Sequence, residues 1–168
     1  MKTPDKIYRV YLPLGDRSQT LHKLKVMWLL AKDGIENPEV LKTSREIVAN
    51  IPSKNYRAEF EAVYDWACEN LRYTQDPTGR EMFHTPDIML DWKQGDCDDH
   101  SILIASLLMC LNHPVRFKAV KEKGGDGTYA HVFPETKSGR QWVAMDSTMP
   151  EYDIGFIAPS AYSALRYP

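Results

Sequence analysis

The sequence predicts an α+β domain, with helices in the first part of the chain and an antiparallel meander of strands in the second. Apolar residues recur at helical spacing as far as Leu111. From Pro114 to Thr148, β-branched and aromatic residues instead fall into short runs between turn signals. With 168 residues, 43% of them hydrophobic, the chain is long enough to bury a real core in a single domain.

The first helix is predicted over "TLHKLKVMWLLAKDG", where Leu21, Leu24, Met27 and Trp28 share a face and Gly34 acts as a stop. A second opens at "NPEVLKTSREIVANI", with Asn37 as N-cap and Pro38 in the first helical position. In "AEFEAVYDWACENLRY", Phe60, Val63, Tyr64, Ala67, Cys68 and Leu71 make one apolar face, so Cys68 reads as a packed thiol. The loop "TQDPTGREMFHTPDIMLDWKQGD" is long enough to bind something, and Thr85-Pro86 can start a short helix inside it. From Cys97 to Leu111 runs a helix apolar around most of its circumference, the mark of a central helix. Cys110 within it also reads as core. Strands follow in "PVRFKAVKEK", "TYAHVFPETK" and "RQWVAMDST", joined by "GGDG" and by a Ser138-Gly139 turn. The tail from Pro150 is rich in turn residues and is expected to wrap the surface.

Composition excludes several classes. A net charge of −2 gives no default affinity for nucleic acid or an anionic membrane. No run approaches the ~18 apolar residues of a membrane span. The opening "MKTPDKIYRVYLPLGDR" lacks the apolar stretch of a secretory signal. Three cysteines without CxxC spacing argue against a disulfide scaffold and for a reducing compartment. Cytoplasmic residence is expected, and a virion component made in a cytosol would read the same.

The chemistry centres on "QGDCDDHSILIASLL". Cys97 stands at or just before the start of the apolar helix, where unpaired N–H groups and the helix dipole favour a thiolate. Asp98 and Asp99 oppose ionisation, but as exposed first-turn acids they are expected to be screened. A two-residue turn at Ser138-Gly139 sets Lys137 opposite Arg140, and the same pairing carried along the strands sets His131 opposite Asp146. Pro134 lies in that stretch and is a place for a bulge. A carboxylate beside an imidazole fixes its tautomer and stabilises the imidazolium, so Cys97, His131 and Asp146 have the logic of nucleophile, base and orienter. The bland alternative is that three common residue types occur by chance. A metal reading of Asp96, Asp98, Asp99 and His100 lacks the oxygen ladder of a calcium loop, and no HExxH is present, so neither metal nor cofactor is expected.

Three stretches, "GDCDDHSILIASLLMCLNHPVRF", "YAHVFPE" and "QWVAMDSTMP", together resemble the transglutaminase-like superfamily, whose fold is related to papain-type cysteine peptidases. "VYDWACENLRYTQDP" resembles the segment that precedes the nucleophile in bacterial and phage members. The resemblance implies a single domain over 1–168: a helical extension at 1–54, a catalytic core at 55–150 and a tail at 151–168. It implies Cys97 as nucleophile, His131 as general base and acid, and Asp146 as its orienter. The oxyanion would meet the Cys97 N–H and an upstream donor, with Gln94 and Trp92 the candidates. Trp142 would roof the triad or pack in the core, and His100 would be structural or at the rim. The implied activity is thiol-dependent acyl transfer on a protein or peptide amide, leaning to a cysteine peptidase or amidase. A protein-crosslinking transglutaminase and a catalytically inactive structural or assembly module are the alternatives.

Overall fold

A computed structural model describes residues 16–77 and 81–168. The N-terminal stretch read above for a signal sequence and the middle of the long loop, at 78–80, lie outside the described residues. The order is α1 (Asp16–Gly34), α2 (Pro38–Ile47), α3 (Tyr56–Asn70), β1 (Arg72–Tyr73), α4 (Pro86–Trp92), β2 (Gln94–Gly95), α5 (Cys97–Cys110), β3 (Val115–Glu122), β4 (His131–Ser138), β5 (Gln141–Ala144) and β6 (Ala161–Tyr167).

The helices form where side-chain spacing and caps agree. Leu24, Met27 and Ala31 are the buried face of α1. Gly34 ends α1 as expected and is also a close contact, because a Cβ there would lie 2.1 Å from Ser106 Oγ and 2.6 Å from Pro86 Cγ. Ser106 in turn donates to the Ala31 carbonyl at 2.7 Å, locking α1 to α5. Asn37 caps α2 by accepting from the Glu39 and Val40 N–H groups. The buried face of α3 is Phe60, Val63, Tyr64 and Ala67, with Cys68 partly buried beside it.

Helix α5 is the centre of the molecule. Ile102, Leu103, Ile104, Leu107 and Leu108 have no exposed surface, and α1, α2, α3, α4 and the sheet all pack around them. A helix apolar on every side needs neighbours on every side, as its sequence requires.

The larger sheet runs β5-β4-β3-β6, every pair antiparallel. The sixth strand corrects the expectation of a surface-wrapping tail: Ala161–Tyr167 pairs along β3, and Leu165 is buried. Trp28 of α1 packs edge-on against both Phe117 of β3 and Tyr167 of β6. A second correction concerns the hairpin. Ser138 faces Gln141 and Lys137 faces Trp142, so the turn is Gly139-Arg140, one residue later than expected. Gly139 has φ 62°, which a primed turn accepts in its first central position only from a residue such as glycine. Pro134 causes no slip against β3. Its carbonyl accepts from Met145 N–H, so its side without an N–H faces β5 just beyond Ala144, where β5 leaves the sheet.

Candidate active site

Asp96 begins the site. Its backbone is extended, and its Oδ1 accepts from the N–H groups of Asp98 (2.9 Å) and Asp99 (3.3 Å), while Asp99 Oδ2 accepts from the Asp96 N–H at 3.4 Å. This reciprocal cap satisfies N–H groups a helix start otherwise leaves open, and it sets Cys97 as the first residue of α5. Asp98 and Asp99 are not the exposed, screened acids expected from sequence: they are 9% and 0% exposed. Asp99 is consumed by the cap, and Asp98 Oδ1 lies 4.0 Å from Cys97 Sγ. Burial pushes the Cys97 thiol well above its ordinary range, and the Asp98 and Asp96 charges push it further, against a backbone hydrogen bond from Val132. Burial and then Asp99 also raise Asp96, to about 6.

His131 opens β4, and its Nε2 lies 2.5 Å from Asp146 Oδ2. The expected strand pairing of these two residues does not hold, because the turn lies one residue later and β5 ends at Ala144, but the two side chains still meet from beyond the end of the strand. The other Asp146 oxygen accepts from the Thr148 N–H (3.1 Å) and hydroxyl (2.6 Å), which fixes the carboxylate at both ends. Burial pulls the His131 imidazole down, but the hydrogen bond and charge of Asp146 outweigh it and hold the ring above its usual value. For Asp146, burial raises the carboxyl, while His131 and Thr148 together bring it below the carboxylate range. The segment after β5 is tied to two helices. Tyr64 of α3 donates to the Tyr152 carbonyl at 2.9 Å, and His100 Nδ1 of α5 lies 2.9 Å from Ser147 Oγ.

Cys97 and His131 line one cavity of about 720 Å³. With Nε2 engaged by Asp146, Nδ1 is the ring nitrogen left to serve a thiol. One wall is α1, through Asp16, Gln19, Thr20, Lys23, Leu24 and Met27. Another is β1 and the segment after it, through Tyr73, Gln75, Asp76 and Pro77, and a third is Thr128–Val132. Lys23 pairs with Glu81 across the opening, and Asp16 takes the Lys121 ammonium at 2.6 Å and the Tyr129 N–H at 3.3 Å.

Three residues expected at the site lie elsewhere. Gln94 is exposed and paired with Arg72 in the small parallel sheet, and it does not line the cavity. Trp92 ends α4 with its ring 4.9 Å from the His84 ring, also outside the cavity. The left-handed Lys93 (φ 54°) that closes α4 turns the chain between Trp92 and Gln94. Trp142 sits under the Arg116 guanidinium at 4.1 Å, opposite Lys137, and roofs nothing at Cys97. His100 is 2% exposed, which makes it structural rather than a rim residue. Sequence reasoning missed Tyr73, which lines the cavity. Burial, then the charges of Cys97, Asp96 and Asp98, raise its hydroxyl. Its signal was in "LRYTQDP", a polar-aromatic stretch just ahead of the loop.

A family model described as the transglutaminase-like superfamily matches residues 42–147, a span that holds Cys97, His131 and Asp146 but not α1. Among solved structures, a proposed cysteine protease from Cytophaga hutchinsonii matches 77% of this chain at 18% identity, with a TM-score of 0.54. The chain spans 48% of that protein. Legionella pneumophila LapG matches 80% of this chain and 80% of its own, at 16% identity and a TM-score of 0.57. Its calcium-bound form matches 81% of this chain and 80% of its own, at 14% identity and 0.58. At such identities the likeness is one of fold. No curated protein matches. Among the described residues, no group of three or more His, Cys, Asp or Glu is arranged to hold a metal ion, and no helix is long and apolar enough to cross a membrane.

Proposed function

This chain belongs to the transglutaminase-like superfamily, and on that premise we propose that it is a thiol-dependent acyl-transfer enzyme, a cysteine peptidase or amidase acting through Cys97, His131 and Asp146. One observation carries the reading: the His131–Asp146 pair at 2.5 Å opens onto the same cavity as Cys97, at the start of the central helix. The cavity is of the size that holds a peptide segment or small ligand. The three free thiols are compatible with a reducing, cytoplasmic setting.

The electrostatics suggest how the nucleophile forms. Burial and the acids hold the resting thiol protonated, so the thiolate arises as His131 takes the proton during attack rather than as a standing ion pair. Sulfur bonds to the amide carbonyl carbon, and the oxyanion meets the Cys97 N–H and the Tyr73 hydroxyl. The C–N bond then breaks, and the leaving amine takes the proton from His131. Water, deprotonated by the same ring, cleaves the thioester and restores the thiol. Asp146 stabilises the imidazolium at each stage.

Amine transfer is the second reading. Asp76 and Asp96 line the cavity, and such a wall favours a cationic acceptor such as a lysine amine, while burial raises the Asp98 carboxyl well above its ordinary range. One incubation separates the two. The protein is mixed with a peptide library, with and without added alkylamine, and the products are weighed by mass spectrometry. Cleavage that ignores the amine supports hydrolysis; amine-mass adducts support transfer. Neither product, with Cys97 inert to a thiol-directed probe while Cys68 or Cys110 reacts, would leave the inactive module.

A further inference from the structure

A second histidine–carboxylate pair lies outside the cavity, at the base of α5. His84 donates its backbone N–H to Asp99 Oδ1 at 2.7 Å, and its Nδ1 lies 2.6 Å from Asp99 Oδ2. Asp99 is fully buried, and the same Oδ2 accepts the Asp96 N–H that closes the cap. Around this oxygen there is no spare room: a Cβ on Gly95 would approach it to 2.5 Å. A buried carboxylate needs both hydrogen bonds and a counter-charge. The charged groups acting on the His84 ring include Asp99 of α5, Asp96 at its N-cap and Asp76 from the segment after β1, and the Trp92 ring of α4 packs against it. All three charges are negative.

We propose that His84 is a positioning residue for Cys97: as counter-ion and two-point donor to Asp99, it holds the reciprocal cap that sets the backbone around the nucleophile. The chain of contacts runs His84, Asp99, Asp96, then the Asp98 and Asp99 N–H groups and the first turn of α5. His84 does not line the cavity, so it touches no substrate. The Asp99 hydrogen bond leads the causes that keep the ring protonated above its usual range, ahead of opposing burial. The counter-charge on the ring is lost as pH rises through that raised value. Its functional meaning rests on Cys97 being the nucleophile, but its structural claim does not.

His84→Asn tests it, because asparagine keeps a donor near Nδ1 and removes the charge. Amide hydrogen exchange at Asp96, Asp98 and Asp99 is followed by NMR across pH 5–9 in both proteins, with Ile104, Leu107 and Leu108 as internal controls, and turnover of a cleaved peptide is measured alongside. The expected result is about tenfold lower protection at the three cap amides in H84N, the scale of one lost cap interaction. The mid-helix amides should stay unchanged, and kcat should fall about tenfold with KM unmoved. In the wild type, cap protection should fall on the alkaline side while the mid-helix holds, a readout available even where H84N folds poorly. Cap protection equal in both proteins and flat with pH in the wild type overturns the proposal. Loss of turnover in every protein, with the cap effect intact, overturns only the enzymatic reading.

Discussion

The molecule contains two histidine–carboxylate pairs of nearly identical geometry in different surroundings. His131–Asp146 and His84–Asp99 have ring-to-carboxylate distances of 2.5 and 2.6 Å, and in both the carboxylate oxygens are fully engaged. Both rings are held above the ordinary histidine range. What differs is the side of Cys97 on which each stands. His131 lines the cavity beside Cys97, whereas His84 lies outside it at the base of α5 and packs on Trp92. The lesson is that a short His–Asp contact does not by itself identify a catalytic pair. The surface its imidazole faces decides whether it can exchange protons with a substrate.

Cys97→Ala and His131→Ala are expected to have the largest effect, about 10⁴-fold or more in kcat/KM by peptide cleavage, because no other group supplies nucleophile or base. Asp146→Asn should cost about 10²–10⁴-fold and also move the acid limb of the pH–rate profile. The sign follows from the base having to be neutral. With Asp146 holding the ring up, activity falls once pH drops below a value above the ordinary histidine value; without it, burial is opposed only by lesser charges such as Glu122 and Asp96, and the limb shifts to lower pH. Tyr73→Phe should lower kcat about tenfold or more while leaving Cys97 alkylation unchanged, since it removes only an oxyanion donor.

His84→Asn brings the comparison to stability. A folded-state value raised above the unfolded one gives stabilisation that is complete below about pH 6.5 and disappears as pH rises through the raised value. Urea midpoints of wild type and H84N should therefore differ most near pH 6, by about 1–2 kcal/mol after conversion, and converge in alkali. The smallest effect is expected for Lys23→Ala, which opens the bridge from α1 to Glu81: a few-fold change in KM for a charged peptide, with kcat held.

Much of this was legible in the sequence because it depends on period and local caps. The apolar circumference of α5, the Asn37-Pro38 start of α2 and the alternation in β3 and β4 are local signals, and Cys97 at the head of α5 follows from them. His131 and Asp146 were brought together by a register argument that put the turn one residue early and ran β5 past its end at Ala144, so the contact was found although the strand pairing was not. The tail's strand was obscured by Gly155 and Pro159 ahead of it, although "AYSALRY" alternates well enough to pair. Gln94 and Trp92 were misplaced because their directions depend on the left-handed Lys93 and the two-residue pairing of β1 with β2. His84 was invisible for a related reason. Its partner lies fifteen residues away across an irregular segment, and no periodicity announces such a contact. The wall contributed by α1 was equally hidden, since it arises from tertiary docking of a helix outside the matched family region.

The central claim is that Cys97 accepts an acyl group under the control of His131, and intact-mass spectrometry of acid-quenched reactions tests it directly. The protein is mixed with a peptide it cleaves, or with an activated ester of the same acyl group, and sampled over time. The account predicts a transient adduct of the acyl mass, mapped to Cys97 by digestion, present in wild type and absent from both C97A and H131A. An adduct on Cys68 or Cys110, or one that forms on Cys97 at the same rate without His131, would contradict it.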